Sequence, residues 1–134
     1  MFYDFYWIIM STLKVNTIQD ASGSNSSTAE QIAQGRAKAW VNFNGTGTVA
    51  IRESFNISSI TDEATGRYTI NIENALPTAN YAVANMAGNY QSTTTSNTSL
   101  NTNGTRTATA FNVRAVNGSS STADKADLNV IFFA

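Results

Sequence analysis

Four carboxylates near the middle of the chain are the residues best suited to hydrolytic chemistry: Glu53, Asp62, Glu63 and Glu73. Glycoside hydrolysis uses two carboxyl groups about 5–10 Å apart, on either side of the scissile bond. Glu53 falls near the end of a predicted strand, and Asp62 and Glu63 fall in a predicted hairpin loop. Because nothing else in the sequence frames a cleft, we interpret all four as solvated charges or turn formers. We therefore predict no catalytic residues.

Histidine and cysteine are both absent from the chain. Their absence excludes Cys or His metal sites, thiol nucleophiles, Ser-His-Asp triads and disulfides. Asp124 and Asp127 flank Lys125 and could offer oxygen ligands to calcium. They lack the spaced carboxylate and glycine pattern of a calcium loop, so turn formation is the preferred interpretation. The sequence predicts a protein that is not an enzyme and that holds no metal or cofactor.

The surface predicted from composition is polar but nearly uncharged. Charged residues make up 13% of the chain, against about 25% in typical proteins. Ser, Thr and Asn take their place. The net charge is -1, with 8 basic and 9 acidic residues spread singly, so no basic patch indicates nucleic-acid binding. Such a surface suits packing against copies of itself, because few charges must be desolvated.

Aromatic residues mark two candidate contact regions in the second part of the chain. Trp40 is out of phase with Ala39 and Val41, which favours a contact with another chain or a sugar. The alternative is a strand that is buried on both faces. Residues 88–105 form a stretch rich in Thr, Ser and Asn, of the composition found in adaptable binding surfaces. The predicted receptor contacts there are Tyr90, Asn97, Asn101 and Asn103.

The first ten residues, MFYDFYWIIM, are almost all apolar or aromatic. They are too short for a membrane span, which needs about 20 residues, and lack the early positive charge and cleavage site of a signal peptide. We expect this segment to be buried against a neighbouring subunit. An equally supported interpretation is that translation usually starts at Met10 and that residues 1–9 are an extension from an upstream start codon. The two interpretations are compatible. The predicted assembly contacts are Phe2, Tyr3, Phe5, Tyr6, Trp7, Ile8, Ile9, Leu13, Val15, Ile18 and Trp40.

The elements before residue 36 are predicted to form an N-terminal leader and attachment segment, residues 1–35. Alternation predicts a short strand over Leu13–Ile18, and the Gly/Ser/Asn-rich residues 19–28 predict a loop. Thr28 and Gln31 have the spacing of a capping box for a helix over Ala29–Gln34, which Gly35 would end.

From residue 36 onward every signal is typical of β structure. Strands are predicted over 37–43, 48–54, 67–73, 80–87, 106–116 and 126–134, and Phe55, Ile57 and Ile60 continue an apolar line between the second and third of these. Residues 62–66 predict a hairpin loop. About seven strands separated by turn signals indicate an all-β fold, an antiparallel β-sandwich, over residues 36–134.

Half of the chain carries a family resemblance. The motifs LKVNTIQD, AKAWVNFNGTGTVAIR, SFNISSITD and YTINI run from Leu13 to Ile72. They resemble the fibre-type virion structural proteins of tailed bacteriophages, especially of phages that infect marine cyanobacteria. The residues after Ile72 keep the same style with a weaker match.

The resemblance implies a tail fibre or fibre-tip module, usually a homotrimer, that attaches to the virion and contacts the host surface. The expected location is the exterior of the virion, on the tail or the capsid. The expected partners are copies of the chain itself, other virion proteins, and host-surface polysaccharide or protein. Two alternatives stay open: a capsid-decorating (cement) protein and a carbohydrate-active tip domain.

Overall fold

The computed structural model describes residues 14–24, 26–88, 104, 106–117 and 119–134. Contacts divide the chain into two compact units, Met1–Ala33 and Gln34–Ala134. The elements in chain order are β1 (Thr17–Gln19), β2 (Ser26–Thr28), α1 (Ala29–Gly35), β3 (Ala39–Asn44), β4 (Ala50–Phe55), β5 (Ile57–Ala64), β6 (Arg67–Ile72), β7 (Ala82–Gly88), β8 (Ala110–Arg114) and β9 (Asp127–Phe133).

The first unit contains a short hairpin whose turn lies within the predicted loop. β1 and β2 pair antiparallel, with Thr17 opposite Thr28, and the Asp20 carboxylate accepts hydrogen bonds from the backbone N–H groups of Ser22 and Ser24, at 3.1 and 3.0 Å. The loop predicted over 19–28 is confirmed for residues 20–24, but Gln19 and Ser26–Thr28 belong to the two strands that this turn connects. The strand predicted over 13–18 starts later, at Thr17.

Helix α1 begins as its sequence predicts. The Gln31 N–H donates to Thr28 Oγ1 at 3.1 Å, and the Thr28 N–H donates to Gln31 Oε1 at 2.9 Å, which confirms the capping box. Within the described ranges, no helix is long and apolar enough to cross a membrane.

The second unit is built from two antiparallel sheets that share one core, which confirms the predicted all-β sandwich. The four-stranded sheet has the order β4-β3-β9-β7 and the three-stranded sheet the order β5-β6-β8. Aromatic rings join the two sheets edge to face. The ring centroids of Phe43 and Tyr68 are 5.3 Å apart, and those of Phe111 and Phe132 are 5.4 Å apart.

Alternation correctly predicted which strand residues face the core. In β3, β6, β8 and β9, side chains on one face are buried, while their neighbours in sequence are not. The buried sets predicted in phase are Ala39, Val41 and Phe43 in β3, Tyr68, Ile70 and Ile72 in β6, Phe111 and Val113 in β8 with Ala115 after it, and Leu128, Val130 and Phe132 in β9.

Strand β5 is the main departure from the sequence prediction. It extends through Ala64, so Asp62 and Glu63 lie in a strand and the turn is confined to Thr65 and Gly66. Gly66 has φ of 66°, and a Cβ there would lie 2.7 Å from the Ala115 carbonyl oxygen. Glycine has no Cβ to meet this carbonyl and adopts the left-handed backbone readily. Gly66 therefore allows a two-residue turn, which is tighter than the loop predicted over 62–66.

Candidate functional site: the outer face of the four-stranded sheet

A row of apolar side chains crosses the outer face of the four-stranded sheet. Trp40 of β3 lies opposite Phe55 of β4 on one side and Ile131 of β9 on the other, and Ile131 lies opposite Ala84 of β7. Phe55 is 54% exposed, Ile131 is 38% exposed and Trp40 is half-buried. All four strands thus contribute to one apolar row.

Two further residues extend this row along the strands. Met86 of β7, 61% exposed, lies two residues from Ala84 on the same face, and Phe133 lies two residues from Ile131. We call the six residues the apolar face: Trp40, Phe55, Ala84, Met86, Ile131 and Phe133. A shallow pocket of about 330 Å³ lies between β7 and β9 and is lined partly by Met86 and Ile131.

Polar groups next to the apolar face hydrogen bond to one another. The Asn42 amide Nδ2 donates to Asp127 Oδ1 at 2.6 Å and to Asn129 Oδ1 at 2.7 Å. Asn42 pairs with Glu53 and Phe43 pairs with Ile51, so Arg52 is the extra residue of a bulge in β4. The bulge turns Arg52 to the same face as Asn42, where its Nη1 lies 3.3 Å from Asp127 Oδ1. Because these groups already have partners, covering them costs less free energy than covering unpaired ones.

Charges are distributed unequally at the two ends of the apolar face. At one end, Arg36 and Lys38 line a hollow together with Phe55. At the other end, along the direction of β3, Glu53 lies opposite Asn42 and the Arg52–Asp127 pair follows. The face therefore runs from a basic end through an apolar middle to an end where carboxylates outnumber cations by two to one.

Asn56 places Phe55 on the outer face. Its φ of 58° interrupts the alternation between β4 and β5, so Phe55 is 54% exposed while Ile57 is 8% exposed. The Asn56 side chain donates to the Lys38 and Asn74 carbonyls at 3.1 and 3.0 Å and accepts from the Asn74 N–H at 2.8 Å. The predicted apolar line from Phe55 to Ile57 was wrong because alternation does not pass through a left-handed residue.

Asp124 and Asp127 take part in separate networks. Asp124 Oδ1 accepts from the Gly66 N–H at 2.6 Å and lies 2.8 Å from the Tyr68 hydroxyl, which is also 2.8 Å from the Gly45 carbonyl. Burial, followed by the hydrogen bond to Asp124, raises the pKa of Tyr68 well above its ordinary value. Asp124 therefore organises the core edge, while Asp127 lies on the outer face of β9.

The carboxylates considered for hydrolysis lie on different sheets. Glu53 is on the outer face of the four-stranded sheet, whereas Asp62 and Glu63 are in β5 of the three-stranded sheet and Glu73 follows β6. Glu63 Oε1 accepts from the Thr69 hydroxyl at 2.9 Å. Among the residues that the structure describes, no group of three Asp or Glu side chains is placed to hold a metal ion.

Only three of the predicted contact residues lie in the described part of the chain. Trp40 is on the apolar face, and Val15 and Ile18 are exposed in the first unit, 40% and 52% respectively. Their roles as contacts stay predictions. The others lie outside the described residues: Phe2, Tyr3, Phe5, Tyr6, Trp7, Ile8, Ile9, Leu13, Tyr90, Asn97, Asn101 and Asn103.

The residues that accompany Trp40 on the apolar face were not predicted from the sequence. Ile131 and Phe133 are out of phase with the core residues of β9, which is the same signal that identified Trp40, so alternation could have found them. Phe55 was predicted only to continue an apolar line with Ile57 and Ile60, and nothing local to Met86 shows that β7 brings it beside Ile131. No family model, curated protein or solved structure matches the chain.

Proposed function

We propose that this chain is a structural module of a phage virion, a tail fibre or fibre tip, that assembles with copies of itself through the apolar face. The observation that carries the self-association is the exposed row Phe55–Trp40–Ile131, continued by Met86. Contiguous exposed apolar side chains of this kind mark interaction surfaces. The virion assignment is supported by the resemblance over Leu13–Ile72.

The charges around the apolar face favour a second copy as its occupant. Two such faces, packed with their strands running in opposite directions, would bring Arg36 and Lys38 of each copy near Glu53 of the other. Opposite charges at the rim favour one orientation of the partner. The middle of the contact would be apolar, as in the core of a homodimer interface, and about 10 Å separates sheets that pack face to face.

The contribution of one residue to this contact can be estimated. A Phe side chain buries about 150–250 Å², so covering the exposed half of Phe55 removes about 100 Å² from water. At about 25 cal/mol per Å² this stabilises the assembly by roughly 2–3 kcal/mol. The Phe55→Thr variant keeps strand propensity. Loss of this contribution from one copy alone should weaken self-association about 30- to 140-fold, and loss from every copy should weaken it further.

The test compares Phe55→Thr and Met86→Thr with Ile51→Thr by light scattering across a dilution series. Ile51 is the matched control because it is also in β4 and 37% exposed, but it pairs with the inward-facing Phe43 and so lies off the apolar face. Wild type and Ile51→Thr should stay associated at concentrations where the other two dissociate. A two-fold pair gives twice the chain mass and the homotrimer implied by the resemblance gives three times. A monomeric wild type would refute the assembly proposal.

The virion assignment is tested by labelling purified particles with an antibody against residues 36–134. A signal on the tail, at a few dozen copies or fewer, is expected for a fibre or tip. Hundreds of copies distributed over the capsid shell would indicate a capsid-decorating protein and would contradict the fibre assignment. Absence from purified particles would contradict a virion role altogether.

A further inference from the structure

Two arginines lie side by side on the outer face of the three-stranded sheet. Arg67 of β6 and Arg114 of β8 are direct cross-strand partners. The Ala115 N–H donates to the Gly66 carbonyl at 2.8 Å, which makes the neighbouring pair the hydrogen-bonded one. Arg67 and Arg114 are therefore a non-hydrogen-bonded pair, where facing side chains lie closest. Like charges in this position oppose folding.

The guanidinium of Arg114 has an unused donor. Its Nη2 donates to the Ser120 carbonyl at 3.0 Å, but its Nε is buried and has no hydrogen-bond partner among the described residues. Buried donors are nearly always paired, because an unpaired one loses its interaction with water without replacement. The Arg114 guanidinium therefore lacks one hydrogen-bond acceptor.

A pocket open to solvent, of about 260 Å³, lies over this pair and is lined by Glu63, Arg67, Asn112 and Arg114 together with Tyr68 and Val113. Within the described part of the chain, the one ion pair is Arg52–Asp127 on the other sheet. Glu63 is instead bonded to the Thr69 hydroxyl. Two arginines and one carboxylate residue therefore line this pocket, and neither Arg67 nor Arg114 forms an ion pair with Glu63.

The surroundings of the pocket are hydroxyl and amide groups. Asn112 Nδ2 donates to Thr69 Oγ1 at 3.2 Å, and Asn71 Nδ2 donates to the hydroxyls of Ser59 and Thr61, both at 3.0 Å. None of the large exposed apolar side chains of the described residues lies on this sheet. The surface therefore suits a ligand rich in hydroxyl groups better than a peptide with apolar side chains.

We propose that the Arg67–Arg114 pocket binds the carboxylate of an acidic saccharide. A guanidinium fork forms charge-assisted hydrogen bonds with a planar carboxylate, and a carboxylate held by the exposed Arg67 would offset the repulsion between the two arginines. Thr69 and Asn112 would contact the sugar hydroxyls. The pocket is on the sheet opposite the apolar face, so this inference does not depend on self-association.

The test titrates the full chain with tetragalacturonic acid and with neutral maltotetraose, and follows heat and the arginine Nε–H NMR signals. Wild type should bind the acidic oligosaccharide only, and the signal of Arg114 should shift. Arg67→Gln should weaken binding by about tenfold or more, as expected on loss of a charge-assisted bond. Arg67 is exposed, so this variant should fold. Arg114→Lys, which keeps the charge but removes the fork, is the second variant.

Two controls separate this proposal from the proposed function. Arg36→Gln removes an exposed arginine elsewhere in the same unit and should bind as wild type does, and so should Phe55→Thr. No binding to wild type, equal binding of the neutral oligosaccharide, or unchanged binding by Arg67→Gln would overturn the inference. Binding of tetra-aspartate without tetragalacturonate would replace the saccharide with an acidic peptide and would also overturn it.

Discussion

Replacement of Asn56 tests whether one residue at the corner between the two sheets holds Phe55 outside and Ile57 inside. Its backbone is left-handed, with φ of 58°, and its side chain bonds to three backbone groups of Lys38 and Asn74. Two variants separate these effects. Asn56→Gly removes the side-chain bonds and keeps the backbone unstrained, whereas Asn56→Ala removes the bonds and strains the backbone.

The magnitudes follow from the contacts. A hydrogen bond contributes about 0.5–1.5 kcal/mol net, and Asn56 is half-buried, so its three bonds to backbone groups should contribute about 2 kcal/mol in total. Alanine in the left-handed conformation costs about a further 1 kcal/mol. Glycine adopts that conformation without strain, but its greater freedom in the unfolded chain offsets part of this gain in stability. We expect the free energy of unfolding to fall by about 2 kcal/mol for glycine and about 3 kcal/mol for alanine.

The measurement is urea unfolding followed by tryptophan fluorescence, with equal m-values as the condition for comparing midpoints. Asn85→Ala is the matched control, because Asn85 is an exposed asparagine in β7, and it should change the free energy by less than about 0.5 kcal/mol. If glycine and alanine at position 56 were equally tolerated, and both resembled the control, the corner would not depend on Asn56 and the argument for the position of Phe55 would fail.

Two other predictions concern the core edge and the carboxylates. Tyr68→Phe should lower the free energy of unfolding by about 1–2 kcal/mol at neutral pH, because the Gly45 carbonyl and the Asp124 carboxylate lose the one hydroxyl proton that they share. Because the folded state raises the pKa of Tyr68, the unfolded chain ionises first. The contribution of Tyr68 to the free energy of unfolding should be constant below about pH 10 and should fall above it. In the same urea series, the free energy of unfolding of Tyr68→Phe should fall less steeply with pH than that of wild type. Equal slopes would contradict the raised pKa of Tyr68. Incubation with host polysaccharide should release no reducing sugar from wild type, Glu53→Gln or Glu63→Gln, and release by wild type that either variant abolished would show that the chain is an enzyme.

Local patterns were sufficient for the class of the fold and for much of its interior. Alternation placed Val41, Ile70 and Val130 in the core because adjacent residues of a strand point to opposite faces wherever the strand is extended. The capping box of α1 was equally predictable, because Thr28 and Gln31 bond within a single turn of helix. The same alternation placed Trp40 on the face opposite Val41, and the structure shows that this face is the outer one.

Only the tertiary structure decided which residues meet across strands. The left-handed backbone of Asn56 depends on bonds to Lys38 and Asn74, so no pattern local to Phe55 could give its face. The pairing of Arg67 with Arg114 depends on the register of β6 and β8, which a turn and the packing of both sheets fix together. The sequence alone determined the inward sides of β3, β6, β8 and β9, because those depend on neighbours along the chain. The apolar face and the arginine pocket required the fold, because their members come together only when separate strands align.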